Sequence, residues 1–217
     1  PRARRTESYA RPPCRTARAA SRRGERPLLQ GRTKGPTLGV ELFVDESCRT
    51  DYLLCAAVVP VANLAAARRR MRELKPNNRD RLHMHAETRN RDRILSQFLK
   101  SPPIDQAHVF VAARRGTQYS QRRARTRCLE ALGNYAADHG VTRVLIESCS
   151  QDKQDRTAVV GALATKSAAD RVRVALDSPT AHELLWAADL VAWAYGAGGA
   201  TRAAIAPLVT VHRVNLD

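Results

Sequence analysis

Aromatic residues make up only 5% of these 217 residues, so Leu, Val and Ala must fill whatever core forms. No apolar run approaches the ~18 residues that a membrane-spanning helix needs. The first thirty residues are rich in charge and proline and lack the apolar stretch of a secretory signal. A cytoplasmic protein with no membrane partner is the expectation. The five cysteines (Cys14, Cys48, Cys55, Cys128 and Cys149) are odd in number and show no CxxC spacing. That argues against a disulfide framework or a zinc ribbon and for reduced thiols. There is no G-x-S-x-G elbow and no G-x-x-x-x-G-K-S/T loop, which removes two large classes of hydrolase and nucleotide machine.

Negative charge is also in short supply. Thirty-seven Lys and Arg stand against twenty-one Asp and Glu, for a net charge of +16. Residues 1–37 alone carry eleven Lys/Arg and two Glu, with Pro, Ser and Gly between them and no hydrophobic period. This stretch reads as a disordered basic arm. The remaining residues, 38–217, are still basic and long enough for one ordinary domain. Such a balance attracts polyanions by phosphate contact and counterion release, so nucleic acid, DNA or RNA, is the expected partner.

From Leu38 onward strand and helix patterns alternate. "LGVELFVD" and "YLLCAAVVP" are short apolar runs joined by a polar turn, which predicts an antiparallel pair. A helix follows with Leu64, Ala67, Met71 and Leu74 on one stripe, ended by Pro76. "RLHMHA" alternates like a strand. Helical spacing returns in "NRDRILSQFLK", "SQRRARTRCLEALGNYAADHG", "DKQDRTAVVGAL" and "LLWAADLVAWAYG". "AHVFVAARR", "VTRVLIES" and "RVRVALD" read as strands between them. An antiparallel opening followed by strand–helix alternation predicts an α/β domain with a mixed sheet.

Three carboxylates interrupt apolar elements in this pattern. Asp45 ends the first strand, Glu147 ends "RVLIE", and Asp189 sits in the most apolar helix of the chain. A lone buried carboxylate costs several kcal/mol or takes up a proton, so something cationic should compensate each. Each singly has an ordinary explanation: a turn cap for Asp45, an Arg partner for the other two. Together, acids from two strand ends and one helix can form an all-oxygen cage of the kind that suits Mg2+ or Mn2+.

"FVDES" at 43–47, "LIES" with "QDKQDR" at 145–156, and "LLWAADLVAWAYG" at 184–196 together resemble a widespread bacterial family, domain of unknown function 3800, which is similar to the ribonuclease H-like fold. The resemblance implies a mixed five-stranded sheet flanked by helices. It also implies that Asp45, Glu147 and Asp189 are the metal-binding, catalytic acids of a nuclease. Cys48 stands where the family pattern has glycine.

Several neighbours are candidate auxiliaries. Glu46 should point to the opposite side of the strand from Asp45 if the strand continues, and could join the cage if it turns. Asp155 could reach the site from a helix start, where acids are also favoured on their own account. His85, on the alternating "HMHAE" stretch with His83 and Glu87, could serve as a hydrogen-bonding or general-base partner. Lys153 and Arg156 could bind phosphate or simply balance the acids beside them. Two functions remain open: a Mg2+- or Mn2+-dependent nuclease or related phosphodiester hydrolase, or a non-catalytic nucleic-acid-binding or partner-binding module on an inherited fold.

Overall fold

The computed structural model describes residues 39–113 and 120–217. The basic arm expected over residues 1–37 lies outside them. The described residues form a six-stranded sheet with helices on both faces. In chain order the strands are β1 (Val40–Cys48), β2 (Tyr52–Pro60), β3 (Gln106–Ala112), β4 (Val141–Glu147), β5 (Arg173–Asp177) and β6 (Val209–Val214). The helices are α1 (Leu64–Leu74), α2 (Arg91–Lys100), α3 (Gln121–Asp138), α4 (Asp152–Thr165), α5 (Leu185–Ala197) and α6 (Gly199–Ile205). Among the described residues no helix is long and apolar enough to cross a membrane.

The spatial order is β5-β4-β1-β2-β3-β6. β1 and β2 pair antiparallel through a three-residue turn, and β2 and β3 also pair antiparallel, with α1 and α2 in the connection between them. β4 lies parallel to β1, and β5 parallel to β4. The expected mixed sheet is thus present, with one strand more than the resemblance implied: β6 adds parallel to β3. Its "VTVHRV" is rich in β-branched residues, the local preference that favours a strand.

One expected strand is absent. "RLHMHA" forms turns between α1 and α2. Leu82 and Met84 are both buried, and the alternation that mimics a strand comes from these two anchors. The Met84 N–H bonds a side chain and the Ala86 N–H bonds His83 O locally, so no sheet ladder forms.

Strand pleating divides the core in two. Phe43, Leu53, Cys55, Ala57 and Leu145 face α1, α2 and α5. Leu42, Val44, Leu54, Ala56 and Ile146 face α3 and α4. The expected helix stripes are the buried ones: Ala67, Met71 and Leu74 on α1, and Ile94, Leu95 and Phe98 on α2. Ser120 caps α3 by accepting the Arg123 N–H at 3.1 Å. Gly140, at φ +67°, turns the chain from α3 into β4 in a conformation that side chains resist.

α3 and α4 approach each other closely at Gly133. A methyl group there would lie 2.7 Å from Ala162 Cβ and 2.9 Å from the Val159 carbonyl oxygen. Gly133→Ala is expected to lower stability by about 1–3 kcal/mol through overpacking, read as a lower midpoint in urea unfolding.

Candidate metal centre

Asp45 and Glu147 share one face of the sheet for a reason visible in the register. Phe43 pairs with Leu145 across β1 and β4, and both side chains enter the α5 side of the core. Two residues further along each strand stand Asp45 and Glu147, so the pleat carries both carboxylates to that same side. α5 packs across β1 and β2 on that face and brings Asp189 with it. The helix can be apolar on nearly every side because the sheet covers one flank and other helices the rest.

The electrostatics record this convergence. Burial pushes the Asp45 carboxyl well above its ordinary value, and the negative charges of Glu147 and Asp189 push it further. Glu147 is raised by burial and by Asp189, against the opposing pull of Arg81 and His83. Cys55, opposite Asp45 on β2, has its thiol raised by burial and by the same two aspartates. The three carboxylates do not all lie within 4.8 Å of one another.

Their compensation is unequal. Glu147 accepts from Arg81 Nη1 at 3.3 Å. Asp189 accepts the Met84 N–H at 2.6 Å and lies 3.4 Å from His83 Nδ1. That contact holds the His83 imidazole above its usual value, although burial opposes it. Asp45 accepts only the N–H of Glu46, at 2.7 Å, and has no basic partner among the described residues.

Glu46 projects to the other face, where it meets a different set of groups. Its carboxylate accepts from Tyr52 and from Arg125. Arg125, on α3, also grips Asp155 with Nε at 2.9 Å from Oδ1 and Nη2 at 2.6 Å from Oδ2. Burial works against the guanidinium's charge, but Asp155, Tyr52 and Glu46 outweigh it and raise its pKa. Arg125 and Asp155 are both almost wholly enclosed. Asp155 thus sits in an ion-pair network on the α3–α4 side, together with Glu46. Cys149 and Asp152 lie near Asp155, with ligating atoms within 4.8 Å of one another, but Asp152 caps the start of α4 through Ser148 and the Cys149 N–H.

The remaining auxiliaries lie further out. His85 is exposed, with a carbonyl that accepts from Arg91 and a ring 6.2 Å from that of His83. Lys153 and Arg156 are exposed on α4, and Arg156 bonds the β5 carbonyl of Val174 at 2.9 Å. A groove of about 710 Å3 between α3 and α4 includes Lys153 but none of the three acids. A cavity of about 70 Å3 lies on the α3–α4 side, lined by Val44, Glu46, Leu54, Arg125 and Ile146, with Asp45 and Glu147 at its border and Asp189 not among its lining residues.

Sequence reasoning passed over Arg81 and His83 as partners of the acids, and Asp177 altogether. Asp177 pairs in register with Glu147 at the end of β5, and accepts from Ser178 N–H at 2.7 Å and His182 Nε2 at 2.9 Å. The Ser178 N–H and then His182 hold its carboxyl below the ordinary range. The missed signal was simple: "RVALD" ends on an acid, as do the strand runs that carry Asp45 and Glu147.

Two consequences can be measured. Arg125→Met should cost about 3–5 kcal/mol in chemical denaturation, because it leaves Glu46 and buried Asp155 without their counter-charge. Asp45 acts in the opposite sense. Its raised folded-state pKa contributes stability that is fully present below the ordinary value of 3.8 and lost as pH rises through the folded value. In chelator, Asp45→Asn should therefore melt above the unaltered protein at neutral pH. The gap should close as pH falls toward 3.8.

No protein family and no curated protein matches the chain. Among solved structures it is similar to the ribonuclease H2 from Pyrococcus horikoshii, with 16% sequence identity and a TM-score of 0.45 over 71% of this chain and 70% of that one. This distant likeness is one of fold alone. The likeness to domain of unknown function 3800 is one of motifs alone.

Proposed function

We propose that the chain is a divalent-metal-dependent phosphodiester hydrolase acting on nucleic acid, with Asp45, Glu147 and Asp189 as its metal-binding, catalytic acids. The observation that carries this reading is Asp45. A desolvated carboxylate facing two further carboxylates, with a single backbone N–H for a partner, is costly unless a cation shares the site. The donor set is all oxygen, which fits a hard cation such as Mg2+ or Mn2+ better than zinc.

A divalent cation there supplies Lewis acidity toward a phosphodiester oxygen and concentrates positive charge where the transition state gathers negative charge. The chain's own contribution is placement. β1 and β4 fix two carboxylates through the sheet register, and α5 fixes the third. Arg81, at the mouth of the site, and the overall charge of +16 favour a polyanionic substrate. Lys153 and Arg156, both exposed on α4, are proposed as contacts to the sugar–phosphate backbone. Contacts of that kind position a nucleic acid without reading its sequence. The basic arm over residues 1–37 would add to that attraction, and a bacterial family of this kind would supply the context.

The test is cleavage of single- and double-stranded DNA and RNA by purified protein in Mg2+ or Mn2+. Asp45→Asn, Glu147→Gln and Asp189→Asn should each lower cleavage by more than about a hundredfold. Even groups that merely support metal ligands cost roughly 10- to 100-fold when removed. Chelator should abolish cleavage, and circular dichroism should show the variants folded. Nucleic-acid binding that survives chelator and all three substitutions, with no cleavage of any form, would replace this reading with the non-catalytic binding module.

A further inference from the structure

Three contacts that neutralise the carboxylates come from four consecutive residues. Arg81 reaches Glu147 at 3.3 Å, His83 lies 3.4 Å from Asp189, and the Met84 N–H bonds Asp189 at 2.6 Å. The segment between α1 and α2 therefore closes over two of the three acids and leaves the third alone.

Its two ends are held very differently. Leu82 and Met84 are buried in the core below α5. Arg91 clamps the Met84 and His85 carbonyls at 2.9 and 2.6 Å while its guanidinium lies over Trp193. The Met84 end is thus fixed to the fold. Arg81 is not: its side chain is 36% exposed, and one long single contact ties its head to Glu147. A pair that open to solvent is weak, and a flexible stem lets the guanidinium leave without moving the backbone.

We propose that Arg81 is a built-in competitor for the cation at Glu147. It neutralises Glu147 while no divalent ion is bound and yields the carboxylate when one arrives. The freed guanidinium then stands at the site's mouth, suited to a phosphodiester of the nucleic-acid substrate. The proposal rests on the reading of Asp45, Glu147 and Asp189 as a cation site. Met84 and His83 keep Asp189 oriented throughout, so exchange is confined to the Glu147 side. A single positive charge guards a place meant for two.

The test is Mn2+ binding to the full chain without substrate, followed by electron paramagnetic resonance and by the rise in melting temperature on adding the ion. Arg81→Ala removes both the competing contact and the repelling charge, and should bind Mn2+ roughly three- to tenfold more tightly. Arg81→Gln, which keeps length and hydrogen-bonding capacity without charge, should behave likewise and guards against a folding defect. Arg79→Ala, which removes a neighbouring cation paired with Glu87 at 3.4 Å, should leave the affinity unchanged. In chelator the Arg81 variants should melt slightly lower than the unaltered protein, and their Mn2+-induced rise should be larger. Equal affinities in the unaltered protein and both Arg81 variants would overturn the proposal and leave the cation site standing. Weaker binding by the variants would overturn it too, by making Arg81 a support of the site. Binding seen only after Arg81 is replaced would be its strongest support. Binding by none of these proteins would remove the cation site and the proposal together.

Discussion

β1 carries two neighbouring acids that its pleat sends in opposite directions, and the two faces of the sheet treat them in opposite ways. On the α3–α4 side, Glu46 meets a buried arginine that also clasps Asp155. On the α5 side, Asp45 meets two more carboxylates and no basic group among the described residues. Removing water from a carboxylate costs free energy on either face. Only one of the two acids is repaid by a fixed protein cation. One strand thus carries a carboxylate compensated by a fixed arginine next to one with no basic partner among the described residues.

The two acids are also mechanically linked. Consecutive residues in a strand share a peptide plane, and the Glu46 N–H donates to the Asp45 carboxylate. Clamping the Glu46 side chain to Arg125 and Tyr52 therefore steadies the backbone from which Asp45 projects. Arg125 spans β1, β2 and, through Asp155, α4, so four elements agree on where β1 ends. A buried ion pair is weak evidence of net stability. Here its geometry serves placement, steadying the strand whose Asp45 carboxylate has no basic partner among the described residues.

Much of this architecture was legible from residue order. Short apolar runs located β1 to β5, and 3.6-residue spacing located α1 to α5. The misplaced acids stood out because each sits where apolar neighbours make its charge expensive. "RLHMHA" misled because two buried anchors two residues apart imitate a strand, although their backbone groups bond to a side chain and to a local turn. β6 was passed over because its pairing with β3 depends on a connection longer than any local pattern. Arg81 and His83 were hidden for the same reason. Sequence shows which groups need a counter-charge, and only the folded chain decides which of many arginines comes near.

That limit explains why the auxiliary residues divided as they did. Asp155 stands three places after Asp152 on α4, and spacing alone lets it turn toward either face of the sheet. The deciding fact is Arg125, thirty residues earlier and set apart from the other arginines of "RRARTR" only by its helical spacing from the apolar stripe. α3 buries that one arginine because its position falls on the same face as Cys128, Leu129 and Leu132. A charged side chain on a buried helical face must find opposite charge, and Asp155 and Glu46 are what it finds. The acids left over after that requirement is met are the ones on the α5 side. On that side Glu147 and Asp189 meet Arg81 and His83 from the segment between α1 and α2, and Asp45 is the carboxylate for which the described residues supply no basic partner.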